Sequence, residues 1–384
     1  MLLLGAVEVR REGIERLAWN GIHRYHNADL TAKQILTLHG IEPDQLPNAK
    51  KQAQQIKLCL IQGEEYFRAA KTVGLATRPV LLYYGIMAFA LAEILLKQDG
   101  NSSLDRARGQ HAHHGLDFRK DGNPALKLDA SDCLAALRAV PSIKGGGERF
   151  GTFELWHRTQ RDFPTIGKVE RLHPVGAATS SCNIVAQTED IRSTLMPPGG
   201  LSLLDCYRSI PHLQLSLMEH GIMTSFARGS IGISVDGKEG LARHTIIIHP
   251  SQNELLDKVL AGFKFAPRML EEIYIKELPS GCVVEATTFK SHEENNFQLP
   301  SSVQYDTEEI YFFSSERILN EFGNLYISLF ILGNYARYFP DQWMVEVERS
   351  TPVSIISAEL MEFAMERVPV IVWSELTRMA HIFK

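Results

Sequence analysis

The stretch PVLLYYGIMAFALAEILL, residues 79–96, carries a single charge, Glu93, in 18 positions. A helix apolar on every side needs an apolar environment, either a bilayer or a protein core. A spanning helix requires about 17–25 such residues, so length alone admits both. Two tyrosines, a glycine, several small or sulfur-bearing residues and the late glutamate argue for the core. A lone anchor would also leave the remaining residues to fold without their most apolar helix. We therefore expect a buried helix, with Pro79 in its first turn, and no membrane association.

That helix sits in a first segment, residues 1–144, that reads as helical. EGIERLAWNGIHRYH places Ile14, Leu17, Ala18 and Ile22 at helical spacing, and AKKQAQQIKLCLIQGEEYFRAAKTV repeats the pattern through Ile56, Leu60 and Phe67. Asp129 or Ser131 is a candidate N-cap for the segment's last helix. Three glycines, Gly145–Gly147, then open a middle region, 145–313, expected to be mixed α/β. SIGISV and ARHTIIIH flank Asp236-Gly237, and IYIKEL and CVVEATTF flank Pro279-Ser280-Gly281, as hairpins do. Between them SQNELLDKVLAGF has a capping box, Ser251 with Glu254, and a stripe of Leu255, Leu256, Val259, Leu260 and Phe263. The last region, 314–384, turns helical again, with Ser357 a candidate cap for SAELMEFAMERV. The expected class is α+β: a helical frame built from both ends of the chain, with the mixed subdomain inserted.

A chain of 384 residues exceeds one ordinary hydrophobic core, which implies subdomains. Its formal net charge of −5 argues against coating nucleic acid by bulk electrostatics and leaves room for a local basic site. Five dispersed cysteines without a CxxC pair read as free thiols in a reducing cytoplasm. In MLLLGAVEVRR the charges follow a very short apolar run, so no secretory signal is expected.

LLYYGIMAFALAEILL, followed by HGL (His114–Leu116) and GTFEL (Gly151–Leu155), resembles the YaaC-like family of bacterial proteins. The C-terminal LYISLFILGNYARYFPDQW and VPVIVW resemble that family's ending. The resemblance implies a soluble, cytoplasmic bacterial protein with a largely helical frame. It carries over no catalytic residue; its closest correspondences are His114-Gly115, Arg337-Tyr338 and Trp343.

Chemistry is most concentrated in RGQHAHHGLDFR, residues 108–119. Arg108 with His113 or His114, and Arg106 with His111, fit the Arg-x4-6-His spacing of HEPN ribonucleases. Such a site needs no metal or cofactor: a near-neutral histidine takes the ribose 2′-hydroxyl proton, and arginine offsets charge on the phosphorane. The pattern is loose in a chain with 14 histidines, and Gly109 and Gly115 interrupt it. The candidate catalytic set is Arg108, His114, His113 and Glu93, the last orienting the base from the preceding helix. Arg106, Arg119, Arg337 and Tyr338 are the candidate RNA contacts. Zinc on His111, His113 and His114 would need a further ligand such as Asp105 or Asp117, and no recognised spacing supports it. The bland alternative is a solvated turn rich in histidine.

Three other stretches carry weaker signals. GGGERFG lacks the GK[ST] ending of a phosphate loop and reads as a linker. TSSCN around Cys182 has no nucleophile elbow. NYARYFPDQW combines Arg337 with aromatics that can stack bases, or that anchor a helix end with Trp343 and Tyr338 packed and Arg337 paired to an acid such as Asp341. Two functions follow as expectations: a metal-independent ribonuclease in stress response or phage defence, dimeric so that two Arg/His sets share a cleft, or a non-catalytic scaffold that binds a protein partner.

Overall fold

A computed structural model describes residues 5–9, 12–97, 112–160, 165–171, 180–186, 195–236, 241–249, 253–261, 272–278, 281–289, 302–304, 310–314 and 316–383. The chain begins with strand β1 (Gly5–Val9) and helices α1 (Ile14–His23), α2 (Ala28–His39), α3 (Leu46–Thr72) and α4 (Arg78–Leu96). Next come β2 (Leu116–Lys120), α5 (Ala130–Ala135), β3 (Leu137–Pro141) and α6 (Thr152–Thr159). The middle holds β4 (Thr165–Arg171), β5 (Ser180–Ala186), β6 (Leu201–Ser202), α7 (Leu203–Tyr207) and α8 (Gln214–Glu219). Then follow β7 (Phe226–Asp236), β8 (Leu241–His249), α9 (Asn253–Leu260), β9 (Glu272–Leu278), β10 (Gly281–Phe289), β11 (Ser302–Gln304) and β12 (Ile310–Phe313). The chain ends in α10 (Glu321–Tyr338), α11 (Pro340–Glu348), α12 (Pro352–Thr377) and β13 (Met379–Phe383).

Helix α4 is the centre of the helical body. It packs against α3, α6, α10 and α12, so both ends of the chain enclose it. Among the described residues it is the one helix long and apolar enough to cross a membrane, and 72% of its apolar window is buried within the protein. Its contact with α3 is close because glycine and phenylalanine alternate across the seam. A Cβ on Gly63 would lie 2.4 Å from the Phe89 ring, and one on Gly85 would lie 2.5 Å from Phe67. Each glycine thus receives the other helix's ring. Two buried phenylalanines fill the space that two side chains vacate.

The frame expected from both termini is present, although the first 140 residues are not helical throughout. β1 pairs in parallel with β13, register Gly5↔Met379 to Val9↔Phe383, and β2 pairs antiparallel with β3. Both are too short for the periodicity that reveals helices. Asp129 caps α5 by accepting from the Ser131 and Asp132 N–H groups. Ser357 does not cap a helix. α12 starts at Pro352, where the Thr351 side chain accepts from Ser354 N–H, and Ser357 is buried in its interior with its hydroxyl 2.6 Å from that of Tyr207. A threonine followed by proline is the stronger start signal, and it lies one and a half turns upstream.

Both hairpins form. β7 pairs with β8 and β9 with β10, inside a six-stranded antiparallel sheet of order β11-β12-β7-β8-β10-β9. α9 packs on β7; Ser251 and Phe263, expected in its cap and stripe, lie outside the described residues, as does Gly237. The middle of the chain is shared between two environments, because Leu203, Cys206, Tyr207, Leu213 and Leu217 belong to the same core as α3, α4, α10 and α12. GGGERFG is a closed turn and not a linker: Ile143 and Arg149 form a bridge, and Gly147 N–H donates to the Lys144 carbonyl.

Candidate functional site

Gly115 and Gly151 make the site possible. Both have positive φ, +82° and +101°, and a Cβ on Gly151 would lie 2.3 Å from the Gly115 nitrogen and Cα. Only glycine permits backbones this close at these angles. The approach brings the carbonyls of His113 and His114 to the first turn of α6, where they accept from Thr152 N–H (2.8 Å) and Phe153 N–H (3.0 Å). Gly151 precedes α6 and has no side chain to cap it, so the histidine loop satisfies those orphan donors instead. HGL and GTFEL, separate in sequence, are one interlocked structure.

With its backbone fixed, His114 is exposed, and its Nδ1 lies 2.7 Å from the Tyr83 hydroxyl. Tyr83 is buried in α4, and burial pushes its phenol well above the usual range, so it stays protonated. Burial of part of the ring, then the positive charge of Arg337, then His113, hold the His114 imidazole below its ordinary pKa. Arg337 comes from the end of α10. Its Nη1 donates to the Tyr84 hydroxyl at 2.7 Å, and its guanidinium carbon lies 5.1 Å from the centre of the Tyr338 ring. Tyr84 in turn stacks on Tyr66 of α3, centroids 5.8 Å apart, and Phe330 underlies Tyr83 at 5.3 Å. The result is an exposed neutral imidazole beside an exposed arginine on an aromatic floor.

The sequence residues are distributed unevenly around this surface. His113 is exposed, its ring edge-on to Phe150 at 5.0 Å. Tyr338 is 58% exposed and not packed, and Arg337 pairs with a tyrosine, where packing and an acid partner were the alternative expectation; Trp343 alone anchors the helix end, its indole N–H donating to the Leu75 carbonyl. Glu93 is buried elsewhere. It accepts from the Trp156 indole at 2.9 Å and lies 3.5 Å from Lys97. Ten residues separate it from Tyr83, about 15 Å along the helix. Arg119 lies on the exposed side of β2, alternating with Phe118, which faces Tyr335 and Phe339. Arg106, Arg108 and His111, and Asp105 with them, lie outside the described residues. Among those described, no group of three His, Cys, Asp or Glu side chains is placed to hold a metal. The side chain of Cys182 is likewise outside the description; Cys59, Cys133, Cys206 and Cys282 are buried free thiols.

Sequence reasoning overlooked Tyr66, Tyr83 and Tyr84. The usable signal was a Tyr-Tyr pair inside an otherwise apolar helix, since a buried phenol hydroxyl needs a polar partner.

The architecture is α+β with a helical body, antiparallel sheets and one parallel pair of strands, β1 with β13. Residues 23–128 match the family model described as YaaC-like Protein, so the family resemblance holds over these residues. The match includes Tyr66, Tyr83, Tyr84, His113 and His114 and stops short of Arg337. No curated protein and no solved structure matches the chain.

Proposed function

We propose that the chain binds RNA on the His114–Arg337 surface and cleaves it without a metal. The observation that carries this reading is the placement of one exposed imidazole: Nδ1 engages Tyr83, a cation lies beside it, and its pKa is held below the ordinary value. A neutral histidine at physiological pH is a competent base, and the arginine that adds to the effect of burial in lowering its pKa also attracts phosphate. When Nδ1–H donates to Tyr83, Nε2 is left to accept the 2′-hydroxyl proton. Attack of that oxygen on phosphorus gives a 2′,3′-cyclic phosphate, with Arg337 offsetting the charge of the phosphorane. His113 is the auxiliary that returns a proton to the departing 5′-oxygen. Tyr84 and Tyr338 offer faces for unpaired bases.

This reading moves the arginine role from Arg108 to Arg337. Arg106, Arg108 and Arg119 remain candidates for more distant phosphates, and Glu93 becomes a structural partner of Trp156. The setting proposed is the bacterial cytoplasm, away from membranes, in stress response or phage defence. A homodimer would present two such surfaces to one RNA. The rival is a scaffold that binds a protein partner with no chemistry at His114. Incubation of the purified protein with single-stranded and structured RNA in EDTA tests the choice. Cleavage by wild type that is lost in His114→Ala is the expected result; RNA left intact by wild type refutes the ribonuclease reading.

A further inference from the structure

A cleft of about 360 Å³ opens on another part of the molecule, between α7 and the start of α10 on one side and α9 with the end of β12 on the other. Its inner wall carries two arginines. Arg208 is held by its Nε, which donates to the Met223 carbonyl at 2.6 Å, and no described carboxylate forms an ion pair with it. The guanidinium of Arg317 lies 3.9 Å from the centre of the Phe313 ring. Between them stand hydroxyls: Ser209 and Ser225 are 2.9 Å apart, and Thr224 adjoins.

The acids near the cleft are mostly engaged. Asp205 accepts from the Ser202 N–H and hydroxyl in the capping box of α7. Glu316 pairs with Lys258 at 2.9 Å on the outer wall, leaving Glu254 beside them. One wall thus carries two arginines, the Asp205 carboxylate and several hydroxyls, while Leu201, Leu255 and Ile318 supply apolar lining and Phe313 is buried beneath the Arg317 guanidinium. A guanidinium fork fixed at one nitrogen suits the oxygens of a phosphate, and the volume lies at the lower end of ordinary small-ligand sites.

We infer that this cleft is a binding site for a small phosphorylated ligand with a planar ring, of the mononucleotide class. The phosphate sits against Arg208, Arg317 and the serine hydroxyls, and the ring lies against the apolar side chains of Leu201, Leu255 and Ile318. The inference does not depend on the ribonuclease reading, since no residue is shared between the two surfaces.

Titration calorimetry of the full chain with the four ribonucleoside 5′-monophosphates, adenosine and inorganic phosphate tests it. At least one monophosphate should bind with one site per chain, adenosine should bind at least tenfold more weakly, and inorganic phosphate should compete. Arg208→Ala should weaken binding at least tenfold. Glu254→Trp, an exposed change that narrows the mouth without touching the core, should weaken it too and remains informative if the arginine variant fails to fold. His114→Ala should bind as wild type does. No binding by any monophosphate, equal binding of adenosine, or loss in His114→Ala with retention in both cleft variants overturns the inference.

Discussion

His114 and His381 have nearly the same immediate chemistry and opposite consequences. Each ring places Nδ1 against a hydroxyl, Tyr83 at 2.7 Å and Ser374 at 2.9 Å. Each pKa is lowered, first by burial and then by an arginine, Arg337 in one case and Arg367 in the other. Yet His381 is 8% exposed and stacked on Trp373 with centroids 3.4 Å apart, whereas His114 faces solvent. Arg367 is itself committed, in a bidentate pair with buried Glu321. Arg337 instead donates to the Tyr84 hydroxyl at the surface, where its charge can face a ligand. A depressed histidine pKa thus marks a candidate site only where the ring and its cation are accessible.

Exchanging the two histidines for alanine should separate these roles most sharply. His114→Ala is expected to reduce RNA cleavage about 10²–10⁴-fold, the usual worth of a general base, while its melting temperature stays close to wild type. His381→Ala should do the reverse, lowering the melting temperature and leaving activity per folded molecule unchanged. Equal activity loss in both would mean that His114 acts through stability alone.

The pH dependence of folding should report His381 next. Its folded-state pKa of about 4 lies below the unfolded value near 6.5. The unfolded chain therefore takes up a proton first, so stability is complete above pH 6.5 and is lost as pH falls toward 4. The full loss is at most about 3 kcal/mol. Denaturant midpoints measured from pH 7 to pH 4 should show the decline in wild type and a flatter profile in His381→Gln.

Gly151→Ala should act on fold and site at once. The positive φ alone costs an L-residue about 1–3 kcal/mol, and the clash of the added Cβ with the Gly115 backbone adds to it. Because that backbone seats His114, thermal melts and cleavage assays should fall together. Stability lost with activity intact would dissociate the interlocked loops from the site.

Subtlest is the acid limb of the pH–activity profile. Arg337→Ala removes a charge that lowers the His114 pKa, so the limb should move toward higher pH, with weaker RNA binding besides. An unmoved limb would show that the arginine only tethers substrate. Arg337→Lys should restore the limb and not the full affinity.

Local physics made much of the frame legible. Long runs apolar on nearly every face announced α4 and the C-terminal helices, β-branched runs around turn residues announced both hairpins, and Asp129 announced its cap. Short elements escaped, because β1, β2 and β13 have five residues each, too few to show a period, and β1 and β13 find each other only from opposite ends of the chain. The same limit applied to the site. Sequence spacing grouped His114 with Arg108, which lies outside the described residues, and with Glu93, which packs on Trp156 instead. Tertiary packing gave it Tyr83, from a helix whose apolar character masked the tyrosine, and Arg337, 223 residues away. By itself the sequence determined that a histidine followed by glycine would occupy a tight turn, since only glycine tolerates that backbone. Which cation and which hydroxyl the imidazole meets was decided when α4, α6 and α10 packed together, because those distances depend on how the helices bury their shared face and not on the order of residues along any one of them.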